Sequence, residues 1–102
     1  MVIKKTINDS KLNIELEGRL DTNTAPKLEE ELKDCLTGVS SICFDLKQLE
    51  YVSSAGLRVF LATHKKMSKQ NSTMIIRNVN QDVMDIFEVT GFAEILNIEN
   101  EG

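Results

Sequence analysis

The hydrophobic period of this chain switches repeatedly between two and three-to-four, and no other feature constrains the fold as much. Leu12, Ile14 and Leu16 alternate with Asn13, Glu15 and Glu17, the pattern of a strand with one wet face. Val2 to Ile7 reads as a short edge strand, and the turn cluster Asn8-Asp9-Ser10 joins the two as a hairpin. Gly18 to Asp21 ends the second strand. Apolar residues then recur at helical spacing: Ala25, Leu28, Leu32, Cys35 and Leu36, with Glu29, Glu30, Glu31 and Lys33 on the other face. Thr22-Asn23-Thr24 offers cap side chains, Pro26 suits the first turn, and the helix is expected to end near Thr37-Gly38.

The alternation continues. Ile42, Cys43, Phe44 and Leu46 form an apolar run without a clean period, which suggests a strand covered on both faces. The segment from Asp45 to Ser54 is read as following that strand and leading into a second helix, Ser54 to about Lys69. Leu57, Phe60, Leu61, His64 and Met67 sit on that helix at helical spacing. Asn71-Ser72 is a break, and Met74 to Ile76 makes another strand. Asn80 caps a third helix with apolar Val83, Met84, Ile86 and Phe87. Thr90-Gly91-Phe92 has the form of a Schellman stop, and Ile95, Leu96 and Ile98 finish as a short strand or turn, with a frayed tail from Glu99 to Gly102. Strands alternating with helices require crossover connections. The expected fold class is therefore α/β: one domain over residues 1–102, a mixed, mostly parallel sheet of four to five strands and three or four helices. The helices are expected to cover one sheet face more fully than the other.

Composition narrows the functional classes. The chain has 102 residues and a net charge of −4, with no basic stripe. Nucleic-acid binding needs a clustered positive face, so no nucleic-acid partner is expected. No stretch reaches the roughly 18 apolar residues of a membrane span, and the N-terminus lacks an export signal. A cytoplasmic location without membrane attachment is expected. Cys35 and Cys43 have no metal spacing and read as small apolar residues, so neither a metal nor a cofactor is expected.

The junction "YVSSAGLRVF", Tyr51 to Phe60, puts two serines and a glycine between apolar runs. Loops beyond strand C-termini collect functional groups in such sheets. Ser53 or Ser54 could cap the helix. A Ser–His nucleophile pair is excluded, because His64 lies ten residues along one helix from Ser54, about 15 Å of rise. The Gly-x-Ser-x-Gly elbow, phosphate loops and dinucleotide fingerprints are absent, so no catalytic residue is assigned. An exposed serine at a helix start is instead a good phosphate acceptor, since the helix end favours a group that adds about −1.5 to −2 charge.

Three stretches carry a resemblance. "DLKQLEYVSSAGLRVFL", Asp45 to Leu61, resembles the signature of STAS domains of the anti-sigma factor antagonist family. "LEGRLDTNTAPKL", Leu16 to Leu28, resembles that family's second strand and first-helix entry, and "VTGFAEILNI", Val89 to Ile98, its C-terminal end. The resemblance implies a non-enzymatic binding module that a serine kinase, itself the anti-sigma factor, phosphorylates and a phosphatase restores. Anchoring on Gly56-Leu57 puts Ser54 at the phosphorylated position, with Ser53 as runner-up. Ser53 replaces the family's aspartate and Ala55 its second hydroxyl. Asp21, Asp45, Ser53, Ala55, Gly56, Leu57 and Arg58 are the expected partner-binding residues. Arg58, four residues from Ser54, stands where the family often has a small residue, and is expected to reach a phosphate there. The alternative is a STAS scaffold or small-ligand module in a signalling or envelope complex, the serines only capping the helix. A nucleotide ligand has no motif to support it. A monomer or weak dimer is expected.

Overall fold

A computed structural model describes residues 1–99. Its elements run β1 (Val2–Asn8), β2 (Lys11–Leu20), α1 (Ala25–Leu32), β3 (Ser41–Val52), α2 (Ser54–Lys69), β4 (Thr73–Arg77), α3 (Gln81–Val89), α4 (Phe92–Ile95) and β5 (Ile98–Glu99). The five strands form one sheet in the order β1-β2-β3-β4-β5, with β1 antiparallel to β2 and every other pair parallel. This is the expected mixed, mostly parallel sheet. The expected terminal fraying falls partly on residues 100–102, outside the described residues; Ile98 and Glu99 pair with β4.

Register explains the core. Leu12, Ile42 and Met74 lie side by side, as do Ile14, Phe44 and Ile76, and all six are buried. The intervening row of Asn13, Cys43 and Ile75 is only half-buried. The reading of β3 as covered on both faces is therefore corrected: its buried side chains share one face, and Asp45 and Cys43 lie on the open one. Burial still pushes the Cys43 thiol up from its ordinary pKa; Arg77 opposes that shift, while Asp45 and Glu99 add to it. The thiol stays protonated and unreactive near neutral pH. On the covered face Phe60 of α2 packs edge-on against Phe44, with centroids 5.1 Å apart, and against Phe87 of α3 at 6.1 Å.

Three boundaries differ from expectation. α1 stops at Leu32, one turn early, and the chain turns through residues 33–38 with Gly38 at φ 80°. Leu36 is nonetheless buried, so its spacing reported burial rather than helix. β3 does not end near Leu46 but runs on to Val52, which makes the Asp45–Val52 part of the expected loop a strand. The pairing of β2 with β3 slips between Glu15 and Glu17 and again between Gly18 and Arg19, which moves the buried positions to Leu49 and Val52. At the C-terminal end Gly91 takes the left-handed conformation expected of a helix stop (φ 81°), but Phe92 starts the short α4.

At the amino ends of the parallel strands, the Gln70 side-chain amide donates to the carbonyls of Leu36 (2.8 Å) and Val39 (3.2 Å), and the Ser72 hydroxyl donates to that of Val39 (2.7 Å). On the β1 side, Lys5 meets Glu31 of α1 at 2.6 Å; that hydrogen bond raises the lysine pKa despite partial desolvation. Both sets of ties leave the opposite, carboxyl edge of the sheet free for the serine junction.

Candidate functional site

The carboxyl ends of β2 and β3 meet where the two serines lie. Leu20 pairs with Val52, and the backbone N–H of Ser53 donates to the Leu20 carbonyl at 2.8 Å, so the ladder extends one bond beyond the strands. Ser53 is extended (φ −92°, ψ 175°) and is the N-cap of α2: its Oγ accepts from the Gly56 N–H at 3.4 Å. Ser54 is the first residue of the helix and is exposed. Its hydroxyl has no hydrogen-bond partner among the described residues. The two serines therefore differ in environment: Ser53 is committed to the backbone, whereas Ser54 offers a free hydroxyl at the positive end of a 16-residue helix.

The neighbouring turn is built on Asp21. Its Oδ1 accepts from the N–H groups of Asn23 (3.0 Å) and Thr24 (3.2 Å), while the Thr24 hydroxyl accepts from the Asp21 N–H and donates to the Arg19 carbonyl, both at 2.8 Å. Desolvation raises the Asp21 pKa, but these N–H donors, the Thr24 hydroxyl and the Arg19 charge outweigh it and hold the carboxyl below its ordinary value. The stabilisation is complete above the ordinary aspartate pKa and is lost as pH falls through the depressed one. Thr24 occupies the N-cap position of α1 but makes no side-chain cap bond, so the capping expected of the Thr22–Thr24 run is not made. The Asp21 carboxylate serves the turn before the helix, and the Ala25 N–H donates to the Asp21 backbone carbonyl at 2.8 Å.

Other predicted residues are placed differently. Gly56 and Leu57 are buried. A Cβ built on Gly56 would lie 2.7 Å from Leu20 Cγ and 2.8 Å from Val52 Cγ2, so the close approach that this glycine permits is to β2 and β3 rather than to a partner. Leu57 faces the core, Ala55 is half-buried, and Arg58 is exposed one turn above Ser54. Asp45 is not beside Ser54: roughly 25 Å of strand separates them at about 3.3 Å per residue. It pairs in register with Glu15 and Arg77 and accepts from the Asn78 side chain at 3.1 Å.

Asn80 is the cap of α3, as expected, and two contacts near the junction had no signal in the sequence: Arg19 on Tyr51, and Asn80 on the Leu49 carbonyl. The Arg19 guanidinium lies over the Tyr51 ring, 4.4 Å from its centroid, a cation–π contact between strand positions in register. Asn80 caps α3 by accepting from the Val83 N–H (2.9 Å) and also donates to the Leu49 carbonyl (2.6 Å), fixing the third loop against β3. No group of three or more His, Cys, Asp or Glu side chains is placed to hold a metal among the described residues. No described helix is long and apolar enough to cross a membrane.

The division between the serines sets an expectation. Ser53→Ala should cost about 0.5–1 kcal/mol, the lower part of the range for a lost cap because the bond is long. Ser54→Ala should change stability by less than about 0.5 kcal/mol. Urea unfolding of both variants distinguishes them; equal losses would contradict the assignment of Ser53 as the cap.

The arrangement is a one-sided mixed sheet whose carboxyl edge presents a serine at the start of a long helix. The STAS domain family model matches residues 2–101, and the chain belongs to that family. It is 31% identical over 96 residues to the anti-sigma-B factor antagonist of Bacillus subtilis, covering 94% of this chain and 86% of that protein. A crystal structure from Thermotoga maritima superposes with a TM-score of 0.88 at 19% identity, covering 98% of this chain and 86% of that one. The Bacillus cell fate determinant SpoIIAA in its phosphorylated form superposes with a TM-score of 0.76 at 16% identity, covering 98% and 93%.

Proposed function

We propose that this chain is an anti-sigma factor antagonist that switches partners by phosphorylation of Ser54. The observation that carries the reading is the exposed, unpartnered hydroxyl of Ser54 at the first position of α2, beside a cap already supplied by Ser53. The name of the B. subtilis relative supports the antagonist role, and the phosphorylated form of SpoIIAA supports a covalent switch in this fold. The unphosphorylated chain binds an anti-sigma factor that is also a serine kinase, and so releases the sigma factor. Transfer of the γ-phosphoryl group of ATP to Ser54 Oγ leaves ADP and a phosphoserine, and a serine phosphatase hydrolyses it back. The chain itself catalyses nothing in this cycle.

The switch is electrostatic. A phosphate brings about −1.5 to −2 charge to a side chain that was neutral. The helix start stabilises it, and Arg58, four residues on, shares its face and can donate charge-assisted hydrogen bonds to it. Asp21, Ser53 and Ala55 border the same edge and contact the docked kinase. Incubation with the cognate anti-sigma kinase and ATP should add one phosphate, mapped to Ser54 by mass spectrometry and abolished in Ser54→Ala. Ser54→Ala should bind the kinase constitutively and Ser54→Asp should bind it weakly. If Ser53 and Ser54 both stayed unmodified, a scaffold role with the serines as helix-start residues would replace this reading.

A further inference from the structure

We propose that the groove between α1 and α2 is the docking site for an acidic, amphipathic segment of the kinase, with one apolar side chain seated in it; this rests on the partner-switching reading above. The groove has a volume of about 200 Å³, room for one or two side chains. Its floor is apolar, formed by Leu32 and Leu36 from the α1 side and by Val59 and Ala62 of α2. Its rim carries Lys33, Arg58 and Lys66 against the single carboxylate of Glu29.

Charge complementarity identifies the occupant. α2 holds Arg58, Lys65, Lys66 and Lys69 but no Asp or Glu, in a chain that has 12 basic and 16 acidic residues. The helix therefore takes four of the basic residues and leaves the rest of the chain strongly acidic. Lys66 and Lys69 in the last turn also suit the helix dipole, but Arg58 in the second turn does not, and none of the four has an ion-pair partner among the described residues. A cationic rim around an apolar floor complements carboxylates flanking an apolar anchor.

The groove is continuous with the switch. Arg58 belongs to its rim and is also the residue one turn above Ser54. A phosphate on Ser54 draws Arg58 toward itself, removes a cation from the rim and brings negative charge within about one Debye length of the acidic segment. Docking and phosphorylation are then linked through one side chain, which gives the phosphorylated chain a reason to let go of the kinase.

The test is calorimetric titration of the purified cognate anti-sigma kinase into the full chain, at low and moderate salt. Ala62→Trp fills the groove and Lys66→Glu reverses its rim; each should weaken binding about tenfold. Lys11→Glu, the same charge change at the far end of β2, should stay within about twofold of wild type. Wild-type affinity should fall with salt more steeply than that of Lys66→Glu. Circular dichroism checks that each variant is folded, and Lys33→Glu replaces Ala62→Trp if the tryptophan is not accommodated. If the rim variants bind as wild type does while Ser54→Asp still weakens binding, the groove proposal is overturned and the phosphoswitch stands. If the wild-type chain does not bind the kinase at all, both fall.

Discussion

Phe60→Ala should cost about 3–5 kcal/mol, the range for removing a buried aromatic ring. Phe60 is fully buried, and its ring joins three elements: Phe44 of β3 at an interplanar angle of 73° and Phe87 of α3 at 67°. Both contacts are edge-to-face, the favoured arrangement for aromatic pairs. Deletion leaves a cavity between a sheet and two helices, which cannot all collapse into it. Because small domains are stable by only about 5–15 kcal/mol, the variant should be partly unfolded near 37 °C. Phe60→Leu keeps most of the volume and should lose much less. Urea and thermal unfolding check both; a loss under about 1 kcal/mol for the alanine variant would mean that α3 does not depend on this ring.

Gly56→Ala should be the next largest loss, about 1–3 kcal/mol, despite alanine being the better helix former. The added methyl would lie 2.7 and 2.9 Å from Leu20 Cγ and Cδ2 and 2.8 Å from Val52 Cγ2. Contacts that short force the helix away from the sheet, and the atoms in the way belong to the last residues of β2 and β3. The helix start would move with Ser53 and Ser54 on it. Two measurements separate this from a loss of partner contact. Stability of the isolated chain should fall, and in Leu20→Ala, which makes room for the methyl, adding Gly56→Ala should cost less than it does in the wild type. Strict additivity would show that the clash is relieved elsewhere.

Legibility in the sequence followed how local each signal was. β2 was readable because its one-faced burial prints an unbroken alternation. The start of α2 was readable because a cap, a small residue and helical spacing lie within five residues. The continuation of β3 was not, since the register slip puts Lys47 and Gln48 side by side as exposed residues and breaks the period. The end of α1 was overextended because Leu36 is buried from a turn. In the candidate site, the anchor on Gly56-Leu57 already favoured Ser54 as the acceptor, whereas which serine makes the helix-cap bond was visible only in the structure. The inward contact of Gly56 depends on Leu20, far away in sequence. The stacking of Arg19 on Tyr51 is a consequence of strand register, for which no local pattern exists, and the distance of Asp45 from Ser54 follows from the unforeseen continuation of β3.

The sheet order has a consequence for how the protein is made. Each strand lies beside the one synthesised just before it, from β1 through β5. No strand has to wait for a partner still inside the ribosome, so the sheet can grow by addition at one edge as the chain emerges. The bond from the Ser53 N–H to the Leu20 carbonyl needs only β2 and β3. The edge that carries Ser53 and Ser54 can therefore be assembled while α3, α4 and β5 are still being translated, and what these last elements add is the packing of α3 on Phe60 and the outer strand β5.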